Sequence, residues 1–348
     1  MDIMIGNIIH NQAKLLITAW KSQNYSLSLV KINKVYKEVK FNLSYIQHHK
    51  SLFHRLRWGK VPTCPHCGSA WVTIKDHLHK CHSCHRPFSD TTKTIFHSTK
   101  LSTLKILQAI YYLLESPRGI SSYTLAKFIG VSQPTSWRLL HLLRSHLHQQ
   151  VHGNIDELII DEVYIGCNWH FVPTFKKVQA VKKLEIRKRQ ENPKWTAPLN
   201  NVTWKRLNYQ AASEDKMIVV GLRDYKEKKL ELIHLHTFNR DLLLNLLKMR
   251  NITYNRVITD ESTIYHTLDN HSICNHKKGQ YKSEDGYSSN PIENHFTHIK
   301  RMWRGIYQWW RSKNCQYYMD EFAFRYNHRT MNLEMRMESL FEIILHYA

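Results

Sequence analysis

Two cysteine pairs, Cys64-Pro-His-Cys67 and Cys81-His-Ser-Cys84, stand 13 residues apart. Each C-x2-C pair suits a tight turn that points both thiolates inward, and two such knuckles facing one another make a tetrahedral zinc site. Four thiolates leave no vacant position, so this spacing predicts one structural zinc and no catalytic one. The residues between the pairs suit a β-hairpin, with Trp71-Val72-Thr73-Ile74 and Leu78-His79-Lys80 as its strands. A pair of disulfides is the alternative; an odd count of seven cysteines in a long chain argues against a disulfide scaffold and for a reducing compartment. His66, His82 and His85 read as surface histidines, and Cys167, Cys274 and Cys315 as isolated, packed thiols.

Three carboxylates form the second set. Ile155 to Gly166 reads as a strand with acids near its end. Asp161 shares a face with Ile159 and Val163, where a lone carboxylate is costly unless it is paired or metal-bound. Glu162 shares the opposite face with Leu158 and Ile160. A later strand, Arg256 to Thr259, runs directly into Asp260, and strand ends are where α/β folds place ligand chemistry. Capping a helix over Ser262–Leu268 is the other reading of Asp260. In Ser289 to Arg301, Asn290 is the expected N-cap and Pro291 N1, which puts Glu293 at N3, where a capping role also stays open. Lys300 follows two turns later on the same helix face, so a metal-binding carboxylate and a phosphate-binding lysine would point into one groove.

The elements that must position these groups divide the chain into five parts: helices over 1–56, a Cys/His/Pro-rich ribbon over 57–95, helical periodicity over 96–150, alternating strands and helices over 154–308, and helices over 309–348. Within 96–150, Ser121 or Ser122 caps a short helix, Gly130-Val131-Ser132 turns the chain, and Gln133-Pro134-Thr135-Ser136-Trp137 opens a second helix. That is a helix-turn-helix layout, whose second helix can enter a major groove and whose Gln133, Thr135, Ser136 and Arg138 are the candidate readers of DNA. A plain three-helix bundle is the alternative. Further on, Lys216–Arg223 and Lys229–His236 form an expected hairpin, followed by a helix from Arg240 to Met249. Residues 167–213 are an insertion with eight Lys/Arg between Lys176 and Lys194, and Val178, Val181 and Leu184 are spaced for a helix. Trp303, Tyr307, Trp309 and Trp310 could pack in a core or stack on unpaired bases.

Composition narrows the partner. The 348 residues carry a formal charge of +22, spread along the chain, which calls for a polyanion, with nucleic acid the first expectation and an acidic membrane surface the second. The opening residues show no charged n-region or cleavage site, so no signal peptide is expected, and no run approaches the ~18 apolar residues of a membrane span.

The ordered set LRWGKVPTCPHCGS, helix-turn-helix, IIDEVYIG, VITDESTIY, NPIENHFTHIKRMWRGIY and MDEFAFRYNHR resembles the zinc-ribbon-bearing DDE-type insertion-sequence transposases, related to the Merlin group of DNA transposons, over about residues 50–330. The resemblance implies an α/β, ribonuclease-H-like mixed sheet with helices on both faces. Its first acid would lie on strand one, its second after strand four and its third on a later helix. It places those acids at Asp161, Asp260 and Glu293, with Lys300 as the basic residue two turns on; Asn294, next to Glu293, is the competing alignment. It implies that the three carboxylates hold two magnesium ions about 3.5–4 Å apart, manganese substituting, one activating a water or a DNA 3′-hydroxyl and the other stabilising the leaving oxygen. It further implies double-stranded DNA as partner, both terminal inverted repeats and target. The helix-turn-helix would bind the repeats, Lys300, Arg301 and Arg304 would hold phosphates, and at least a dimer would act on DNA. The setting would be the nucleoid in a bacterial cytoplasm, or the nucleus of a eukaryote. A domesticated, non-catalytic DNA-binding regulator is the rival reading, and a structure-specific nuclease of the same fold a third.

Overall fold

The computed structural model describes residues 49–75, 78–166, 173–196, 216–274, 286–307 and 310–345. The expectation of helices over 1–48, the packing of Cys167 and the role of Trp309 lie outside the described residues.

The chain enters through α1 (His49–Trp58) and passes into a three-stranded antiparallel ribbon, β1 (Val72–Thr73), β2 (His79–Cys81) and β3 (Pro87–Phe88). The expected hairpin is present, with Val72 opposite Cys81, and a third short strand flanks it. So small a sheet buries little apolar surface; Phe88 packs with Cys64, Cys81 and Trp58. One carboxylate oxygen of Asp90 fastens ribbon to helix. It accepts from Trp58 Nε1 at 2.8 Å, His54 Nδ1 at 2.9 Å and His79 Nε2 at 3.0 Å.

Three helices follow: α2 (Thr103–Glu115), α3 (Ser122–Ile129) and α4 (Gln133–Arg144). Each starts at a serine whose side chain accepts from the backbone N–H three residues on: Ser102 from Lys105, Ser121 from Thr124 and Ser132 from Thr135. Gly130 ends α3 in the left-handed conformation at φ +62°, which a Cβ would strain, and so sets the sharp turn into α4. Their core unites Leu107, Ile110, Leu125 and Leu140 with Phe53 of α1 and with Met337 and Phe341 of α9 (Leu333–Leu345). The final helix thus packs back onto the first core.

The second unit is a five-stranded mixed sheet: β4 (Gly153–Ile165), β5 (Met217–Asp224), β6 (Leu230–Leu235), β7 (Ile252–Thr259) and β8 (His271–Ile273), in the order β6-β5-β4-β7-β8. The first strand of the sheet is therefore central. The second and third extend it antiparallel on one side, and the fourth and fifth parallel on the other, which is the ribonuclease-H-like arrangement. Residues Leu158, Ile159 and Ile160 are all buried, as expected of a central strand covered on both faces. One face packs on α6 (Arg240–Met249) through Leu243 and Leu247. The other packs on α7 (Asn290–Arg304) through Ile292, Phe296 and Ile299, and on α8 (Cys315–Asn327) through Tyr318, Met319 and Ala323. The basic insertion contains α5 (Thr174–Glu191), with Val181 and Leu184 buried and Val178 exposed.

Two helix starts differ from expectation. Ser262–Leu268 contracts to a 3-10 turn at Thr263–Tyr265, and the N-cap of α7 is Ser289 instead of Asn290, which moves Glu293 one position further into the helix.

Candidate active site and metal centre

The four cysteine sulfurs lie within 4.8 Å of one another, with Cys64–Cys84 and Cys67–Cys81 each at 3.6 Å. A tetrahedron with Zn–S bonds of about 2.3 Å has S–S edges of about 3.8 Å, so this set fits one zinc ion. The N–H groups of Cys84 and Ser83 pull the Cys81 thiol down to about 6, while, against the pull of the Ser69 N–H, burial and the neighbouring sulfurs push the Cys67 thiol up to about 12. His82 stacks on Trp71 and bonds Thr73, so it is not a ligand. His54, His79 and Asp90 form the other tight cluster among the described residues. Their 2.9–3.0 Å contacts are hydrogen bonds, and Trp58 already donates to the oxygen that a metal would need.

Asp161 lies on β4 between Gly221 of β5, its registered partner, and the end of β7. The parallel pairing of β4 with β7 ends at Ile159 opposite Ile258, and continuing that register by two residues sets Asp161 beside Asp260. Along β4, Ile159 and Val163 join the core under α7, while Leu158 and Ile160 join the opposite one. Alternation therefore turns Asp161 toward α7 and Glu162 away. Glu162 accepts from the Tyr265 hydroxyl on that far side, and its backbone N–H donates to Asp161 Oδ1 at 2.8 Å.

Glu293 comes from the first turn of α7. Pro291 and the Ser289 carbonyl, which accepts from Ile292 N–H, start this helix, and the Ser289 hydroxyl donates to Glu293 Oε1 at 2.9 Å. Gly221 lets this turn lie close on the sheet: a Cβ there would meet Ile292 Cδ1 at 2.7 Å. Nothing in the linear sequence marks that glycine; its importance comes from facing Asp161 across one pair of strands while lying beneath Ile292.

Neighbouring carboxylates act on Asp161. Burial, then the charges of Glu162, Asp260 and Glu293, push the Asp161 carboxyl up to about 8, against the pull of the Glu162 N–H. The acids are spaced more widely than the 4.8 Å of the cysteine cluster. Their hard oxygen donors are of the kind that can hold a divalent cation. The Asp260 side chain also accepts from Ser262 N–H at 2.9 Å, so its turn-forming role coexists with its place beside Asp161.

Helix rotation sorts the remaining residues of α7. At 3.6 residues per turn, Glu293, Lys300 and Arg304 fall on one row. Asn294 and Arg301 fall on the neighbouring row and line a separate cleft. Lys300 and Arg304 are thus on the groove side with the acid, and Arg301 is not. Glu293 lies near enough for its charge to act on Asp161, whereas Asn294 lines the separate cleft.

On α4 the candidate readers separate. Arg138 is exposed, but Ser136 is fully buried in the bundle and cannot reach DNA, which corrects the expectation from sequence. Gln133 Nε2 donates to Ser122 Oγ, and the Thr135 hydroxyl bonds the capping Ser132. Trp137, which the sequence reading left aside, is 41% exposed beside Arg138. Of the aromatics around α7, Trp303 and Trp310 are buried in the core, and Tyr307 packs against Trp310 and Tyr318.

Among the described residues no helix is long and apolar enough to cross a membrane. Residues 191–327 match the family model of the ISXO2-like transposase domain, a stretch that includes Asp260, Glu293 and Lys300 and begins after Asp161. No curated protein matches the chain.

Proposed function

We propose that this chain, with its transposase-family domain, is a DNA transposase that cuts phosphodiester bonds at the ends of a mobile element and joins the freed 3′-hydroxyls to target DNA. The observation that carries the reading is the convergence of Asp161, Asp260 and Glu293. They come from β4, the end of β7 and the start of α7, and after burial and the Glu162 charge, the charges of Asp260 and Glu293 add to the opposition to ionising Asp161. Each is oriented by one hydrogen bond: Asp161 from Glu162 N–H, Asp260 from Ser262 N–H and Glu293 from the Ser289 hydroxyl. Two magnesium ions held by these carboxylates, or manganese in their place, would supply Lewis-acid activation of the attacking hydroxyl and charge stabilisation at the leaving oxygen. Lys300 and Arg304, on the Glu293 row, place cations for the phosphates of the reacting strand. Arg138 and Trp137 on α4 form the surface offered to the terminal repeats, with the protein acting on DNA as at least a dimer.

A binding-only regulator would gain nothing from setting three carboxylates against one otherwise apolar sheet face, whereas a site loaded with dications needs their negative charges. The test is strand cleavage and joining on a duplex bearing the element's ends, with magnesium. Asp161→Asn, Asp260→Asn and Glu293→Gln each remove one charge at constant shape. Each is expected to lower the rate by at least about a thousandfold, on the order of 4 kcal/mol in barrier, with DNA binding retained. Asn294→Ala is expected to cut normally. Wild-type-like cleavage by Glu293→Gln would remove that residue from the site, and absence of metal-dependent cleavage by the natural chain would favour the regulator.

A further inference from the structure

A cleft of about 690 Å³ opens where the helical unit meets the sheet unit, bounded by the α2–α3 turn, α7 and α8. Its charge is one-sided. Arg118, Arg301, Arg325, Arg329 and Arg336 line it, against a single lining carboxylate, Glu115. Three of these guanidiniums are engaged: Arg336 with Glu115, Arg325 with Glu321, and Arg329 over the Tyr326 ring at 3.9 Å. Arg118 and Arg301 are exposed and have no acidic partner among the described residues. His295, 8% exposed, also lines the cleft, and its Nε2 is buried without a hydrogen-bond partner.

The wall carrying Arg118 is held in place. Gly119, at φ +89°, lies so close to the sheet unit that a Cβ would collide with the Tyr307 hydroxyl and come within 3.1 Å of Arg325 Nη1. Only a glycine allows the turn to lie there, and it places Arg118 across the cleft from the Arg301 row of α7. Unpaired guanidiniums from the α2–α3 turn and from α7, in a cleft whose lining also includes a buried imidazole nitrogen without a partner, match the oxygens of a phosphodiester.

We infer that this cleft is a second phosphate-binding site. It would hold the backbone of the DNA duplex already engaged by the helix-turn-helix, on the row of α7 next to the acid row. The occupant is assigned to that duplex, and not to target DNA, because one wall is the turn between the first two helices of the helix-turn-helix unit. The inference rests on the transposase reading only for the identity of the duplex; the phosphate chemistry stands on the cleft itself.

The test measures binding without cleavage, in calcium, using the full chain and fluorescent duplexes of the element's ends. Arg118→Ala together with Arg301→Ala removes two phosphate contacts and is expected to reduce the slope of log K against log salt by about 2. Both residues lack acidic partners, so the melting temperature is expected to be unchanged, and Arg118→Lys with Arg301→Lys should restore the slope. Single methylphosphonate substitutions then locate the site. One or two positions should weaken the natural chain and leave the double alanine variant indifferent. Identical slopes, or identical methylphosphonate profiles for the two proteins, would overturn the proposal. Absence of metal-dependent cleavage by the natural chain would overturn the transposase reading and leave this result standing.

Discussion

Removing the charge of Asp161 should make the metal-free protein more stable while destroying its chemistry. Burial and the neighbouring acids push the carboxyl up to about 8 in the folded chain, from the ordinary value of 3.8 that applies once the chain unfolds. A raised carboxylate pKa means that the folded state holds its proton where the unfolded state has lost it. Stability is therefore undiminished below the unfolded value, falls as pH rises from there, and levels off above the folded value. At pH 7 the gap between unfolded pKa and solution is about 3 units, which at 1.36 kcal/mol per unit is a cost of about 4 kcal/mol. Asparagine does not titrate, and its Oδ1 can still accept from Glu162 N–H. Asp161→Asn is thus expected to gain on the order of 4 kcal/mol over the natural chain at pH 7 in EDTA, and nothing near pH 3. Urea unfolding followed by tryptophan fluorescence reads this, since Trp303 and Trp310 lie in the core under the same sheet face. Magnesium should narrow the gap. It binds the folded natural chain and adds about 2.7 kcal/mol at a hundredfold excess over Kd, with a much smaller effect on the variant, which leaves the variant ahead by on the order of 1 kcal/mol. Equal stability of the two proteins from acid to alkaline pH in EDTA would refute the electrostatic argument, and with it the claim that these acids share one pocket.

Three further outcomes follow from other parts of the molecule. The purified chain should contain one zinc ion, and a strong chelator should unfold residues 60–90, seen as loss of amide-exchange protection, because so small a sheet has little core besides the metal. Arg138→Ala should weaken end-specific binding by about 1–3 kcal/mol, measured by titration against a mixed-sequence duplex, whereas Ser136→Ala should leave specificity unchanged because Ser136 is buried. Glu321→Gln should destabilise the chain by about 3–5 kcal/mol in chemical denaturation, since it leaves the side chains of Arg144 and Arg325, only 2% and 9% exposed, without their counter-charge.

The parts of this structure legible in the sequence are those governed by neighbours along the chain. Cysteine spacing gave the ribbon. Serine caps and Gly130 delimited α3 and α4, and two-residue alternation put Asp161 and Glu162 on opposite faces of β4. The helix Arg240–Met249 stands where its periodicity places it. What escaped depends on contacts between distant residues. A helical period tells that one side of 333–345 is apolar, but not that it closes on Phe53 and Ile106, more than two hundred residues earlier. Ser136 reads as an ordinary first-turn polar residue and is buried only because α4 rolls that side onto the bundle. Gly221 carries no local signal, because its reason is Ile292. The short strand Pro87–Phe88 is too brief to show alternation at all.

Glu321 sits fully buried in α8 and accepts from Arg144 at the end of α4 at 2.6 Å, from Tyr307 at 2.5 Å just beyond α7, and from Arg325. Burial opposes its charge, but Arg144, Arg325 and the Tyr307 hydroxyl outweigh that and hold the carboxyl below its ordinary range. One ionised group thus ties the last turn of α4 to the segment that follows α7. Breaking the tie means exposing or orphaning a charge, so it does not loosen gradually. On the proposed reading, the protein is a ruler. The distance between the base pairs that α4 reads and the bond that the acids cut is fixed by this strut, and not by a linker. Base pairs inserted between the repeat and the cleavage point should therefore move the cut by the same number of nucleotides relative to the element's end, at a constant offset from the repeat.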